Sequence, residues 1–181
     1  LRSTDPPITI PAWVSMTSGR APQELGIYGF RQMSASGRAL RLPHVADVTV
    51  PRLWDIACRA GLTSVVVSVP LSFPPTVHPR LFMTADFLTP DLQCPWAFPR
   101  ALESELESRF GTYIIDVENF RSTERVAIAE SVHAFTRRHF AVFRHLIGTR
   151  HPDFAMIVDL GPDRFHHALL STMHGDPHDP G

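Results

Sequence analysis

Cysteines, membrane-length apolar runs and excess charge are all scarce in this chain. Two cysteines, Cys58 and Cys94, make no disulfide framework and no C-x-x-C pair, so a reducing compartment, and with it a cytoplasmic location, is the expectation. No apolar stretch reaches the ~18 residues of a membrane helix, and no signal-peptide pattern is present. The formal net charge is -1, and no basic run with interleaved aromatics supplies the electrostatic footprint of a nucleic-acid polymer partner. No internal repeat is found. What the 181 residues do contain is 44% hydrophobic side chains, enough for one sizeable core.

Two short segments carry chemistry. The first is Pro6-Pro7-Ile8-Thr9-Ile10-Pro11-Ala12-Trp13, followed by Met16-Thr17-Ser18-Gly19-Arg20-Ala21-Pro22 and Leu25-Gly26-Ile27-Tyr28-Gly29-Phe30. Thr9 lies just before a proline suited to a first helical turn. Its hydroxyl would sit where unpaired backbone N–H groups and the positive end of the helix dipole stabilise an alkoxide or a phosphate. An ordinary helix cap is the plainer reading of the same residue. The second segment is Asp163-Arg164-Phe165-His166-His167, directly after the apolar run 154–160. A carboxylate and an imidazole four residues apart share one helical face and can converge on a metal ion. A capping Asp and a solvated His are the plainer reading here. His166 points about 100° away from its neighbour and is expected to be structural.

Together these segments resemble the type I phosphodiesterase/nucleotide pyrophosphatase branch of the alkaline phosphatase superfamily. The resemblance runs through Thr9-Ile10-Pro11-Ala12-Trp13, Ser18-Gly19, Pro22, Leu25-Gly26-Ile27, Val69-Pro70-Leu71-Ser72-Phe73-Pro74-Pro75, Phe87-Leu88-Thr89-Pro90 and Gly161-Pro162-Asp163-Arg164-Phe165-His166-His167. Leu25 stands where the family has a His. The resemblance implies an α/β fold, an alkaline-phosphatase-like three-layer α/β/α sandwich with a mainly parallel sheet. It also implies a metal-dependent phosphoesterase that cleaves a phosphodiester or nucleotide pyrophosphate through a phospho-threonine on Thr9. Two divalent metal ions, zinc by family habit, would be held in part by Asp163, His167 and Thr9. The substrate would be a small phosphate ester or nucleotide. Oligomeric state is left open.

Measured against the family pattern, the chain begins at Leu1 inside a conserved-looking element and lacks a strand ending in Asp before Thr9 and a D-H-G pair after Asp163. Residues 1–181 are therefore expected to be a partial catalytic domain. The alternative expectation is a non-catalytic fragment or pseudoenzyme with only weak phosphate or metal binding. His174-Gly175-Asp176 reverses part of the missing motif in a tail rich in Gly, Pro and Asp.

A pass along the chain predicts helices over 10–17, 49–60, 99–110, 122–147 and 165–173, and strands over 62–69, 113–117 and 155–160. The apolar face of the longest helix is read as Val126, Ala129, Val132, Ala134, Phe135, Phe140, Phe143 and Ile147. Residues 70–99, proline-rich and without a period, read as a long excursion over the active-site side. Trp13 and Trp54 are expected in the core, Trp96 is a candidate stacking residue in a pocket, and Arg164, which could reach a phosphate, is expected to pack or to form an ion pair beside the site. His133, His139 and His145 read as surface or packing residues.

Overall fold

The computed structural model describes residues 2–34, 36–118, 120 and 125–173. Its centre is a four-stranded sheet whose strand order is β5-β4-β3-β6. β3 (Ser64–Val67) pairs in parallel with β4 (Leu81–Thr84) on one side and β6 (Phe154–Ile157) on the other, and β5 (Ala97–Phe98) runs antiparallel to β4 at the edge. A separate antiparallel pair, β1 (Gln32–Met33) and β2 (Leu40–Arg41), forms a small hairpin.

Alternation along β3 builds the layers. Val65 and Val67 face one way, into a cluster with Leu102 and Leu106 of α4 (Ala101–Phe110) and with Val142 and Leu146 of α5 (Arg125–Arg150). Val66 faces the other way, onto Trp54 and Cys58 of α3 (Leu53–Arg59) and onto Trp13 of α1 (Thr9–Ser18). A strand buried on both faces is apolar on both, which is why Val65-Val66-Val67 shows no polar alternation, with the small Ser64 buried at its start. The result is a mixed α/β fold in three layers, as expected for an incomplete alkaline-phosphatase-like sandwich. The remaining elements are α2 (Pro22–Leu25), a 3-10 turn at Val45–Asp47 and α6 (Gly161–Met173), which packs mainly against α5.

Several local readings are corrected. The helix predicted over 49–60 starts only at Leu53, because Arg52 is extended (φ -94°, ψ 170°) and its N–H is captured by the Asp55 carboxylate at 2.8 Å. Residues 113–117 form no strand. Side chains of α5 engage the segment instead: the Ile114 carbonyl meets His139 Nε2 at 2.7 Å, and just before it the Thr112 carbonyl accepts from Arg138 at 2.7 Å. The excursion 70–99 contains β4 and β5, which the scattered prolines concealed.

On α5 the buried stripe is Ile128, Val132, Phe135, His139, Val142 and Leu146, spaced alternately by four and three. Val126, Phe140 and Ile147 lie on a neighbouring, exposed face, and Ala134 is exposed too. The true stripe admits a histidine because His139 stacks on Tyr113 (5.1 Å) and Phe135 (4.0 Å). Burial holds its pKa below the usual histidine value, against the pull of the Ile114 carbonyl. Trp96 is a core residue as well, stacked on Tyr113 at 4.4 Å and buried.

Candidate active site

α1 begins with a backbone that leaves its first turn open. Ile8, the cap, is extended (φ -113°, ψ 146°) and offers no side-chain acceptor, and no acidic residue occupies the first turn. Pro11 tolerates this position since it has no N–H to satisfy. Thr9 is the first helical residue and half-buried. The helix is anchored from below by Ile10 and Val14, both fully buried against Leu25, Ile27 and Leu71. Gly19 ends it in the left-handed region (φ 69°), its N–H donating to the Ser15 carbonyl at 2.8 Å.

α6 starts four residues after β6, at the carboxyl end of a parallel strand, where open α/β sheets form their ligand sites. Its entry is locked. The Asp159 carboxylate accepts from the Gly161 N–H (3.0 Å) and from Thr136 Oγ1 of α5 (3.1 Å). Asp163 stands in the first turn and His167 one turn on, with His167 Nε2 3.7 Å from Asp163 Oδ1 and both side chains about half exposed.

Between them Arg164 turns inward. Its Nε and Nη2 form a two-pronged pair with Asp116 at 2.7 and 2.6 Å, while Nη1 donates to Asp163 Oδ2 at 2.8 Å. The guanidinium also lies 4.3 Å over the Phe120 ring. Arg164 is thus the ion-pair residue that the sequence led one to expect, and it fixes one oxygen of Asp163 while leaving Oδ1 toward His167. The same Asp116 borders a cleft of ≈ 940 Å³ between residues 87–93 and 112–118.

Asp163 and His167 therefore come together, whereas Thr9 lies on a different element. Phe87 spans the interval: it packs on the cluster of Ile10 and Val14, on the cluster of Leu160 and Phe165, and 5.4 Å below the Arg164 guanidinium. Phe87 follows β4 as α6 follows β6, at the same end of the sheet.

The donors of Asp163 and His167 are of the right kind for a divalent metal, a carboxylate and an imidazole on one face. Their number is too small for a closed site, which takes three or four protein ligands. Among the described residues no group of three His, Cys, Asp or Glu side chains gathers. His174 and Asp176 lie outside the described residues.

A feature that the motifs did not reveal is a buried charged cluster beside α1. Arg52 and Asp86 are almost wholly enclosed. Burial pushes the Asp86 carboxyl up to about 6, against the Ser72 and Leu88 N–H donors (2.7 Å each) and the charge of Arg52. Burial likewise lowers Arg52 to about 10, opposed by Asp86 and Asp55. An Arg just ahead of a helix and an Asp just after a strand look like surface residues in a sequence; only the tertiary structure encloses them.

A family model described as Type I phosphodiesterase / nucleotide pyrophosphatase matches residues 1–180. No curated protein and no solved structure matches the chain. No helix among the described residues is long and apolar enough to cross a membrane.

Proposed function

Because this chain belongs to the type I phosphodiesterase/nucleotide pyrophosphatase family of the alkaline phosphatase superfamily, we propose that it hydrolyses a small phosphodiester or nucleotide pyrophosphate through Thr9. The carrying observation is a threonine hydroxyl at the first position of an uncapped ten-residue helix in a chain matched to this family over 1–180. The open first turn favours an anion by its unpaired N–H groups and its dipole. Thr9 Oγ1 attacks phosphorus, forming the P–O bond of a phospho-threonine while the bond to the leaving oxygen breaks. The hydroxyl proton is lost and the departing alcohol gains one. Water then cleaves the phospho-threonine and restores the hydroxyl, so that diester and water become monoester and alcohol.

Asp163 and His167 would hold one of two divalent ions, zinc being the simplest choice, with their further ligands outside the described residues. Bound there, such ions supply the positive charge that lowers a hydroxyl pKa and shields phosphate oxygens. Arg164 keeps Asp163 oriented by holding Oδ2, and Asp116 keeps Arg164 in place.

The test uses the full chain and bis(p-nitrophenyl) phosphate. Thr9→Ala should reduce kcat by at least about a thousandfold, as loss of a nucleophile does, with metal content nearly unchanged. His167→Ala should lower turnover and bound zinc together, and excess zinc should restore part of the turnover in that variant alone. Mass spectrometry of the quenched wild type should find phosphate on Thr9. Unimpaired turnover by Thr9→Ala would end the covalent reading.

A further inference from the structure

We propose that Arg52 and Asp86 are positioning residues that set the Thr9 end of α1 through the backbone turn at residues 68–72. This rests on the reading of Thr9 as nucleophile for its catalytic consequence, though the structural coupling is separable from it.

Ser68 (φ 55°) and Leu71 (φ 61°) both lie in the left-handed region, which is unfavourable for a non-glycine residue. Two such residues within four positions must be held by their surroundings. The Ser68 N–H is held by Thr84 of β4, through its Oγ1 at 3.2 Å and its carbonyl at 3.3 Å, and Arg52 holds the Leu71 side of the turn: Nη1 donates to the Leu71 carbonyl at 2.6 Å and Nη2 to the Pro70 carbonyl at 3.0 Å. Asp86 holds the next residue, accepting from the Ser72 N–H at 2.7 Å. The turn is thereby pinned from α3 on one side and from the end of β4 on the other.

The turn then determines where α1 sits. Leu71 is fully buried in the cluster that contains Ile10 and Val14, and Ile10 is the residue after Thr9. Arg52 also reaches α1 directly, its Nε donating to Thr17 Oγ1 at 2.9 Å. One guanidinium thus contacts the far end of α1 by a hydrogen bond and its near end by way of Leu71. Its guanidinium carbon lies 4.1 Å from the centre of the Trp54 ring, a further contact that holds it in the packed interior. The Asp86 turn extends the linkage, for Phe87 belongs to the same cluster and continues to Leu160 and Phe165 beside Asp163.

The charged and titratable groups that face Asp86 are Arg52 from the start of α3 and the Tyr113 hydroxyl from the 111–118 segment, and Asp55 acts on Arg52. Neither Arg52 nor Tyr113 changes charge between pH 5 and 8, and His139 reaches this region only through its stack on Tyr113, so a transition near 6 in the surrounding methyl groups that Asp86→Asn abolishes belongs to Asp86.

The test combines a pH titration of methyl NMR signals with kinetics on the full chain, using bis(p-nitrophenyl) phosphate as probe. In the wild type the Ile10 and Leu71 methyl resonances should titrate with a midpoint near 6, and in Asp86→Asn that transition should vanish. Arg52→Lys should lower kcat by about 10- to 100-fold with KM within about threefold, the effect of a nucleophile displaced by an ångström or less, and Arg52→Met should lose more. Wild-type Ile10 and Leu71 signals that stay flat from pH 5 to 8 overturn the coupling, and that measurement needs no variant to fold. An Arg52→Lys protein with wild-type kcat and a reduced melting temperature overturns it too, since the cluster would then be structural only. If the wild type shows the titration but no turnover, the coupling stands and the phosphodiesterase reading falls.

Discussion

Gly161 stands where α6 meets α5 too closely for any side chain. A Cβ there would lie 2.1 Å from Thr136 Oγ1 and 3.1 Å from Asp159 Oδ1, both of which are fixed to one another. Gly161→Ala must therefore push α6 off the Asp159–Thr136 lock rather than merely fill space. The expected cost is about 1–3 kcal/mol in urea denaturation, with a loss of phosphodiesterase turnover larger than the stability change explains, because Asp163 and His167 move with the helix. Arg164 offers a second measurement at this scale. Arg164→Lys keeps a charge but cannot make the two-pronged pair with Asp116 and reach Asp163 together. It should weaken zinc retention several-fold through a less ordered Asp163, measured by dialysis against a chelator.

α5 shows how one helix serves two layers. Its inward stripe covers Val65 and Val67 through Val142 and Leu146, then continues past the sheet to cover Leu160 and the start of α6 through Ile128, Val132 and Phe135. Phe135→Ala removes a ring that is fully buried and in contact with His139, and should cost about 3–5 kcal/mol. Phe140→Ala, one turn on and exposed, should cost under about 1 kcal/mol. Equal losses in the two variants by chemical denaturation would mean that the stripe is wrongly assigned. A simple apolar count selects Phe140 over His139. The structure reverses the choice because His139 satisfies the Ile114 carbonyl while its ring fills the space between Phe135 and Tyr113.

Taken whole, the molecule carries buried charge on one side of its sheet and ion pairs nearer the surface elsewhere, and the two respond to acid in opposite directions. Arg41 and the His44 N–H hold Asp47 below the usual carboxylate range, although burial opposes them. The stability from such a pair is present above the unfolded pKa and is lost as pH falls through the folded one. Asp86 is the reverse case. Its folded pKa lies above its unfolded value, so the native state binds the extra proton between about pH 4 and 6, and this contribution declines as pH rises through that window. The stability of the wild type relative to Asp86→Asn should therefore decrease from pH 4 to pH 7, with the change centred between the two pKa values. Thermal denaturation of both proteins across that range measures it; an increase with pH would place Asp86 with Asp47, among the carboxylates whose partners lower the folded pKa.

By itself the sequence determined what local chemistry determines. The β-branched run at 62–69 marked the central strand although only Ser64–Val67 pair, and the i,i+4 spacing of Asp163 and His167 put two donors on one face. The motif around Thr9 and the one at Asp163 were enough for the family, since motifs are strings of neighbours. Tertiary structure alone decided the rest. β4 and β5 exist because β3 supplies a partner on which Leu81–Thr84 can complete its hydrogen bonds, a condition no window of residues contains. Residues 113–117 have strand composition and no strand, and the Ile114 carbonyl pairs with His139 of α5 instead of with a neighbouring strand. Arg52 and Asp86 are buried because the ends of β3, β4 and α1 close around them, and burial, a property of the whole fold, is what turns two ordinary charges into a cluster that can hold strained backbone beside Thr9.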